Sequence, residues 1–290
     1  MRVPERWGET TMPDKFRPLS PRVGAEITVR RDEIMDPAFG KECLESLEHY
    51  GVLVFHRLGL TDAEQVAFSS LLGEVIPQGK VQPDGSRDVI FKITLDEKEN
   101  DAAEYLKSTI HWHIDGIFDD TPPVRATILT GRRLAKVGGA TEFCNTYAAY
   151  NDLSPEEQRR CDSLRIMHSL VASHRVWNPN SSPEEAERWR QRRAPKEHPL
   201  VWRHRSGRKS LVIGMTVDQV VGMSEVDSRA FMEKLTAHTT RPENVYHHDW
   251  EVGDMVIWDN CGTMHRATPY DPASGRMMHR TVLLGTESIA

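Results

Sequence analysis

The sequence predicts a mainly β protein with flanking helices, of the sandwich, jelly-roll or barrel kind rather than a parallel α/β sheet. Three observations carry this. From residue 88 onward the chain is a succession of short β-like runs, among them DVIFKITL, VRATILTGRRL, ATEFCNT, KSLVIGM and HRTVLLG. Gly, Pro or Asp punctuates them, which is the turn chemistry such architectures need. Only two helix-like stretches, TYAAYNDLSPEEQRRC and VDSRAFMEKLTAHTT, interrupt the series, too few for regular strand–helix alternation.

Taken in order, residues 1–20 are rich in proline and charge and are expected to form a loose arm. Residues 21–290 are expected to form one domain, because no linker-like stretch or repeat divides them. VGAEITV (23–29) reads as a strand. AFGKECLESLEHYG (38–51) has apolar residues at helical spacing and ends on a glycine, which suits a helix C-terminus. VLVFH (52–56) reads as a buried strand. LTDAEQVAFSSLLGEV (60–75) reads as an amphipathic helix with Thr61 as N-cap and Glu64 completing a capping box. The β-like runs follow and include STIHWHIDGIF (108–118), LRIMHSLVASH, HPLVWRH and NVYHHDWEVGDMVIW.

Of the 290 residues, 38% are hydrophobic and 28% charged, ordinary for a folded soluble chain. The 37 Lys and Arg against 43 Asp and Glu give a formal charge of -6, which argues against a nucleic-acid partner. The basic runs RWRQRR (188–193) and RHRSGRK (203–209) read as solvated surface, with acidic SSPEEAE preceding the first. Cys43, Cys144, Cys161 and Cys261 form no CxxC pair. The first residues lack the apolar core of a signal peptide, and no apolar run reaches membrane-spanning length. A cytoplasmic protein with reduced thiols and no membrane partner is expected.

The chemistry concentrates in STIHWHIDGIF. In an extended segment His113 and Asp115 share a face, with His111 beside them. A buried imidazole or carboxylate is costly unless paired or bound to metal. A bound cation answers this, although an isolated HxD is more often a half-buried strand with its polar face in water. A third ligand is offered by His265 in WDNCGTMHRATPYD, with His247 and His248 as rivals before the same strand. An HxD and a distant histidine match the facial triad that leaves three positions open on iron(II). Arg276 and Arg280 share a strand face. An inward arginine beside an open iron face suits a dicarboxylate held by metal at one end and by guanidinium at the other. The alternative places both arginines in solvent on an edge strand.

These pieces carry a resemblance. In their order and spacing, VGAEITV, GVLVFHRLGLTDAEQVAFSSLLGEV, WHIDGIF, GGATEFCNTYAAYNDL, WEVGDMVIWDN, TMHRA and GRMMHR resemble the taurine/alkylsulfonate and aryloxyalkanoate dioxygenases. These form the TauD/TfdA-like group of iron(II)/2-oxoglutarate-dependent oxygenases, and the resemblance spans roughly residues 20–286. It implies a double-stranded β-helix (jelly-roll, cupin-like) core, with iron(II), 2-oxoglutarate and O2 as the reacting partners. His113, Asp115 and His265 look like the iron ligands. Thr141 and Arg276 look like the cosubstrate contacts, the arginine pairing bidentately with the distal carboxylate.

Arg280 matches the position that grips the substrate's anionic group, and a buried Arg280 without a partner would call for such an anion. His111, not a ligand in this family, and Thr109 are expected on the substrate side of the pocket. No catalytic side chain is expected beyond the metal centre. The implied reaction is hydroxylation of a small anionic substrate, with 2-oxoglutarate decarboxylated to succinate and CO2. A carboxylate is favoured, of aryloxyalkanoate type; hydroxylation at a heteroatom-bearing carbon would break the C–O or C–S bond. Sulfonate or sulfate-ester cleavage and natural-product tailoring stay open. So do two other classes, a zinc or nickel cupin-like hydrolase or isomerase and a non-catalytic binding protein, which leave Arg276 and Thr141 without a task. A homo-oligomer, dimer or tetramer, is expected. Two features depart from the group: Cys261 stands where many relatives have arginine, and residues 174–198 match no motif of it.

Overall fold

The computed structural model describes residues 15–118 and 122–290. Phe16–Pro18 (β1) pairs antiparallel with Ala25–Ile27 (β2). The last part of the expected arm is therefore a strand, anchored by the buried Phe16; residues 1–14 lie outside the described residues. Pro37–Tyr50 (α1) starts under an Asp36 cap that accepts the Ala38 N–H, and stops at Gly51, whose φ of +72° is the left-handed conformation glycine adopts freely. Val52–Phe55 (β3) follows. Asp62–Leu72 (α2) has both halves of the expected capping box.

Phe91–Ile93 (β4), Ala103–Leu106 (α3), Ala126–Arg133 (β5) and Thr141–Asn145 (β6) lead to the helix pair Thr146–Asn151 (α4) and Pro155–Asp162 (α5). One helix was expected there. It breaks because Pro155 cannot continue the hydrogen-bond ladder, and Ser154 starts a new helix with its own capping box. LRIMHSLVASH also divides. Arg165–His168 (β7) ends at Ser169, whose hydroxyl accepts the Ala172 N–H at 2.9 Å and caps Leu170–Arg175 (α6). Then come Pro183–Arg192 (α7), Lys196–Pro199 (β8), Val201–Arg203 (β9), Lys209–Leu211 (β10), Val217–Val220 (β11), Glu225–Thr239 (α8), Val245–His248 (β12), Met255–Asp259 (β13), Thr263–Ala267 (β14) and Met277–Leu283 (β15). Among the described residues no helix is long and apolar enough to cross a membrane.

The strands form a seven-stranded sheet in the order β1-β2-β3-β13-β5-β15-β4 and a three-stranded sheet in the order β12-β6-β14. A second three-stranded sheet, β11-β7-β8, and the pair β10-β9 complete the set. Alternation explains why β3 and residues 255–258 of β13 are apolar throughout. Val52, Val54, Leu129, Val256, Trp258 and Met278 point one way and pack with Phe143 of the three-stranded sheet. Leu53, Phe55, Ile128, Met255 and Ile257 point the other way, onto Phe39, Leu47 and Phe68 of the two long N-terminal helices. A strand buried on both faces loses its polar alternation. Each large apolar side chain so buried contributes about 1.5–3 kcal/mol. This two-sheet, helix-backed arrangement is the jelly-roll core that the sequence implied.

Candidate metal centre

The segment carrying His113 and Asp115 is not the strand expected of it. Residues 107–110 form a 3-10 turn, and Gly116 turns the chain back with φ +77°. Only His113 pairs as in a sheet, and its partner is His265: the N–H of each donates to the carbonyl of the other, at 3.0 and 2.9 Å. One reciprocal pairing thus brings the first and third candidate ligands side by side, with ring centroids 4.1 Å apart. Asp115 follows two residues later, with Oδ2 3.8 Å from His265 Nε2. Donor atoms of His113, Asp115 and His265 all lie within 4.8 Å of one another. The rivals His247 and His248 are elsewhere, bonded to Glu142 and set beside Asp254 respectively.

Each candidate ligand is oriented from behind. His113 Nδ1 lies 2.9 Å from the His111 carbonyl; a carbonyl only accepts, so Nδ1 carries the proton and Nε2 keeps its lone pair for a metal. The part that His111 visibly plays is thus through its backbone, while its ring stands beside the pocket, its pKa lowered by burial and by Arg266. His265 is 7% exposed and wedged against Trp258 and Phe143. Burial holds His113 below the ordinary histidine range and His265 well below it.

Asp115 Oδ2 accepts the Thr127 hydroxyl at 2.9 Å. That hydroxyl oxygen accepts Asn260 Nδ2, and Asn260 Oδ1 accepts Trp258 Nε1. Burial opposes the Asp115 charge, but Arg280 foremost, then His265, His113 and Thr127, hold its pKa down at about 2. Two neutral imidazoles and one carboxylate whose donor atoms lie within 4.8 Å of one another are a donor set for a divalent cation with positions left open.

The two arginines sit on β15 and just before it. Arg276 is 4% exposed, and its Nη2 donates to the Gly139 carbonyl at 3.0 Å. Its guanidinium carbon lies 4.9 Å from the centre of the Tyr270 ring, and Nε has no hydrogen-bond partner. Gly139 is obligatory here: φ is +78°, and a Cβ would stand 2.9 Å from Arg276 Nε. Thr141 is also buried, and its hydroxyl oxygen accepts Trp250 Nε1 at 2.9 Å, which leaves the hydroxyl proton to donate.

Arg280 is not the isolated guanidinium expected. It reaches Asp115 Oδ1 at 3.4 Å and Gln78 Oε1 at 2.8 Å, although its Nε is unpartnered. Thr109 is the outlier, since its hydroxyl donates to the Leu106 carbonyl inside the 3-10 turn. Sequence reasoning missed Thr127, Asn260, Trp250 and Gln78. Of these, Trp250 and Asn260 carried a signal, as the first and last residues of WEVGDMVIWDN. Cys261 borders a cavity of about 200 Å³ that also touches Asp259, Tyr147 and Arg125 and shares no lining residue with the triad. Residues 174–198 hold α7, whose Trp189 packs on His174 and Leu170.

Comparison with known proteins gives a consistent picture. Residues 15–282 match the model of the family described as taurine catabolism dioxygenase TauD, TfdA family. The chain is 30% identical to the (S)-phenoxypropionate/alpha-ketoglutarate-dioxygenase of Sphingobium herbicidovorans, over 92% of this chain and 94% of that one. It is 32% identical to the alpha-ketoglutarate-dependent sulfate ester dioxygenase of Pseudomonas putida, over 92% and 88%. The crystal structure of AAD-2 in complex with Mn(II) and N-oxalylglycine superposes with a TM-score of 0.79 at 29% identity, covering 95% of this chain and 98% of that one.

Proposed function

The chain belongs to the taurine catabolism dioxygenase TauD, TfdA family, and on that premise we propose that His113, Asp115 and His265 hold its iron(II), Arg276 its cosubstrate, and Arg280 a small carboxylate substrate of aryloxyalkanoate type. The protein is a 2-oxoglutarate-dependent dioxygenase using iron(II), 2-oxoglutarate and O2. When bound, the iron supplies oxidation of a substrate C–H bond by O2, coupled to decarboxylation of 2-oxoglutarate.

One observation carries the assignment of the arginines. Arg276 and Arg280 are both withdrawn from water, Arg280 against Asp115 and Arg276 against Gly139 two residues before Thr141, and each keeps a buried Nε without a partner. A buried guanidinium N–H without a partner calls for an anion, and two of them call for two anions. Arg276 and the free proton of the Thr141 hydroxyl grip one carboxylate at the closed end. Arg280 Nη1 lies 3.4 Å from Asp115 Oδ1, so its guanidinium stands where it would also face a substrate anion seated beside that carboxylate. Burial of the site excludes water and keeps both charge pairs strong.

A sulfate ester is the second reading, supported by the Pseudomonas putida relative, because Arg280 takes a sulfate as readily as a carboxylate. The test is succinate release from a panel of aryloxyalkanoates, their methyl esters and alkyl sulfate esters. The acids are expected to turn over and the neutral esters to fail. Arg280→Leu should raise the substrate KM at least tenfold with 2-oxoglutarate affinity preserved. Arg276→Ala should do the reverse, because breaking a buried pair costs about 3–5 kcal/mol. A methyl ester used as well as its acid, or equal effects of the two variants on both ligands, would overturn the assignment.

A further inference from the structure

The turn between β12 and β13 gathers a second donor set that shares no residue with the triad. His56 follows β3, His248 ends β12, and Glu251 and Asp254 lie in the turn before β13. His56 Nδ1 is 3.5 Å from Asp254 Oδ1, and His248 Nε2 is 3.2 Å from Asp254 Oδ2. Donor atoms of His56, Glu251 and Asp254 all lie within 4.8 Å of one another. Ligands bonded to a tetrahedral zinc at about 2.0–2.1 Å stand roughly 3.3 Å apart, close to the observed imidazole–carboxylate spacings.

Two members are built in rather than merely nearby. Asp254 is fully buried, and each carboxylate oxygen accepts one backbone N–H: Oδ1 from Arg57 at 2.9 Å and Oδ2 from Glu251 at 3.0 Å. Each oxygen keeps a lone pair. His248 is 2% exposed; Nδ1 faces the Tyr246 hydroxyl at 3.2 Å, while Nε2 faces Asp254 Oδ2 at 3.2 Å, a contact that holds the Asp254 carboxyl below its usual range against burial. An imidazole oriented on one nitrogen, with the other turned toward a carboxylate, is placed as metal-ligating histidines are placed. His56 and Glu251 are half-exposed and free to adjust. The neighbouring cation, Arg57, pairs with Glu251 at 3.3 Å, but both side chains face water and the pair is weak.

We propose that His56, His248, Glu251 and Asp254 bind one zinc-class divalent ion, a structural site separate from the iron centre. Two imidazoles and two carboxylates favour zinc over magnesium or calcium, which take oxygen ligands. The ion ties β3 to the β12–β13 turn. That turn carries Trp250, whose indole N–H holds the Thr141 hydroxyl, so the second site braces one wall of the first.

The test is zinc stoichiometry of the chelator-stripped full chain, dialysed against buffered submicromolar free zinc. Wild type is expected to hold two equivalents. His56→Ala/Glu251→Gln, whose side chains are too exposed for the fold to depend on them, is expected to hold one. Asp115→Ala/His265→Ala is also expected to hold one, and there zinc should raise Tm, an effect lost when His56→Ala/Glu251→Gln is added. The proposal is overturned if the variant lacking Asp115 and His265 binds no zinc, or if His56→Ala/Glu251→Gln keeps the wild-type count. Loss of zinc only from the Asp115 and His265 side would implicate the iron ligands alone and leave this site without support.

Discussion

At the scale of single residues, the candidate ligands stood out in the sequence and the groups behind them did not. An imidazole and a carboxylate two apart in an apolar run carry chemistry in their identity alone, so His113, Asp115 and His265 stand out before any coordinates. Thr127 and Asn260 have no such mark. They matter because β13 and β5 pair in a register that sets Trp258 opposite Thr127, so that Asn260, two residues on, reaches the Thr127 hydroxyl that points at Asp115. A linear reading cannot see across that register. Thr109 is similar: nothing in the sequence marks the bond its hydroxyl donates to the Leu106 carbonyl in the 3-10 turn. The relay makes a prediction. Thr127→Val keeps the shape and removes the hydroxyl, so Asp115 loses its orienting bond and Asn260 loses its acceptor. Iron(II) affinity should fall about 10- to 100-fold, read by competition with a chromophoric chelator. Unchanged affinity would mean that the hydroxyl only fills space.

At the scale of elements, helices announced by their caps were legible, and short apolar runs were not. Thr61 and Glu64 predicted the start of α2, and both arms of the box are present: Glu64 N–H to Thr61 Oγ1 at 3.2 Å and Thr61 N–H to Glu64 Oε2 at 2.7 Å. LRIMHSLVASH misled because a short apolar run suits a strand or a helix equally, and the hydroxyl of Ser169 decides where one becomes the other. The two halves of the α2 box depend on each other. Thr61→Ala should cost about 1 kcal/mol in urea unfolding, and Glu64→Ala a similar or smaller amount. The double variant should cost less than both together, because each deletion already idles the partner's side chain. Full additivity would show that the halves act independently. The helix matters to the sheet beneath it: Gln65, fully buried, donates to the His279 carbonyl and accepts the Thr130 hydroxyl, tying α2 to β15 and β5.

At the scale of the whole molecule, the fold keeps several histidines neutral by burying them, and this sets how it meets acid. His168 in β7 is fully buried; Nδ1 bonds the Thr216 hydroxyl at 2.8 Å and Nε2 has no partner. Burial, with a smaller push from His198, lowers its pKa to about 3. His198 and His174 are lowered too, both chiefly by burial. For a histidine depressed in the folded state, both states are neutral above pH ~6.5, so nothing is lost there. Below that, the unfolded chain takes up the proton and the folded chain does not until its own lower pKa, so stability falls as pH falls. From pH 6.5 to 5, His168 alone should remove about 2 kcal/mol, at roughly 1.4 kcal/mol per pH unit. His247 has the opposite sign, its pKa raised by hydrogen bonds to Glu142 and Asp249 against some burial, but it is 45% exposed and solvent screens most of its effect. Urea unfolding of metal-free protein at pH 7.5 and 5 should therefore show a clear loss on acidification. His168→Gln, which keeps a hydrogen-bonding group toward Thr216 but cannot titrate, should start lower at pH 7.5 and lose distinctly less. An identical acid loss in that variant would place the sensitivity in other groups, and stability that holds or rises toward pH 5 would contradict the account of burial itself.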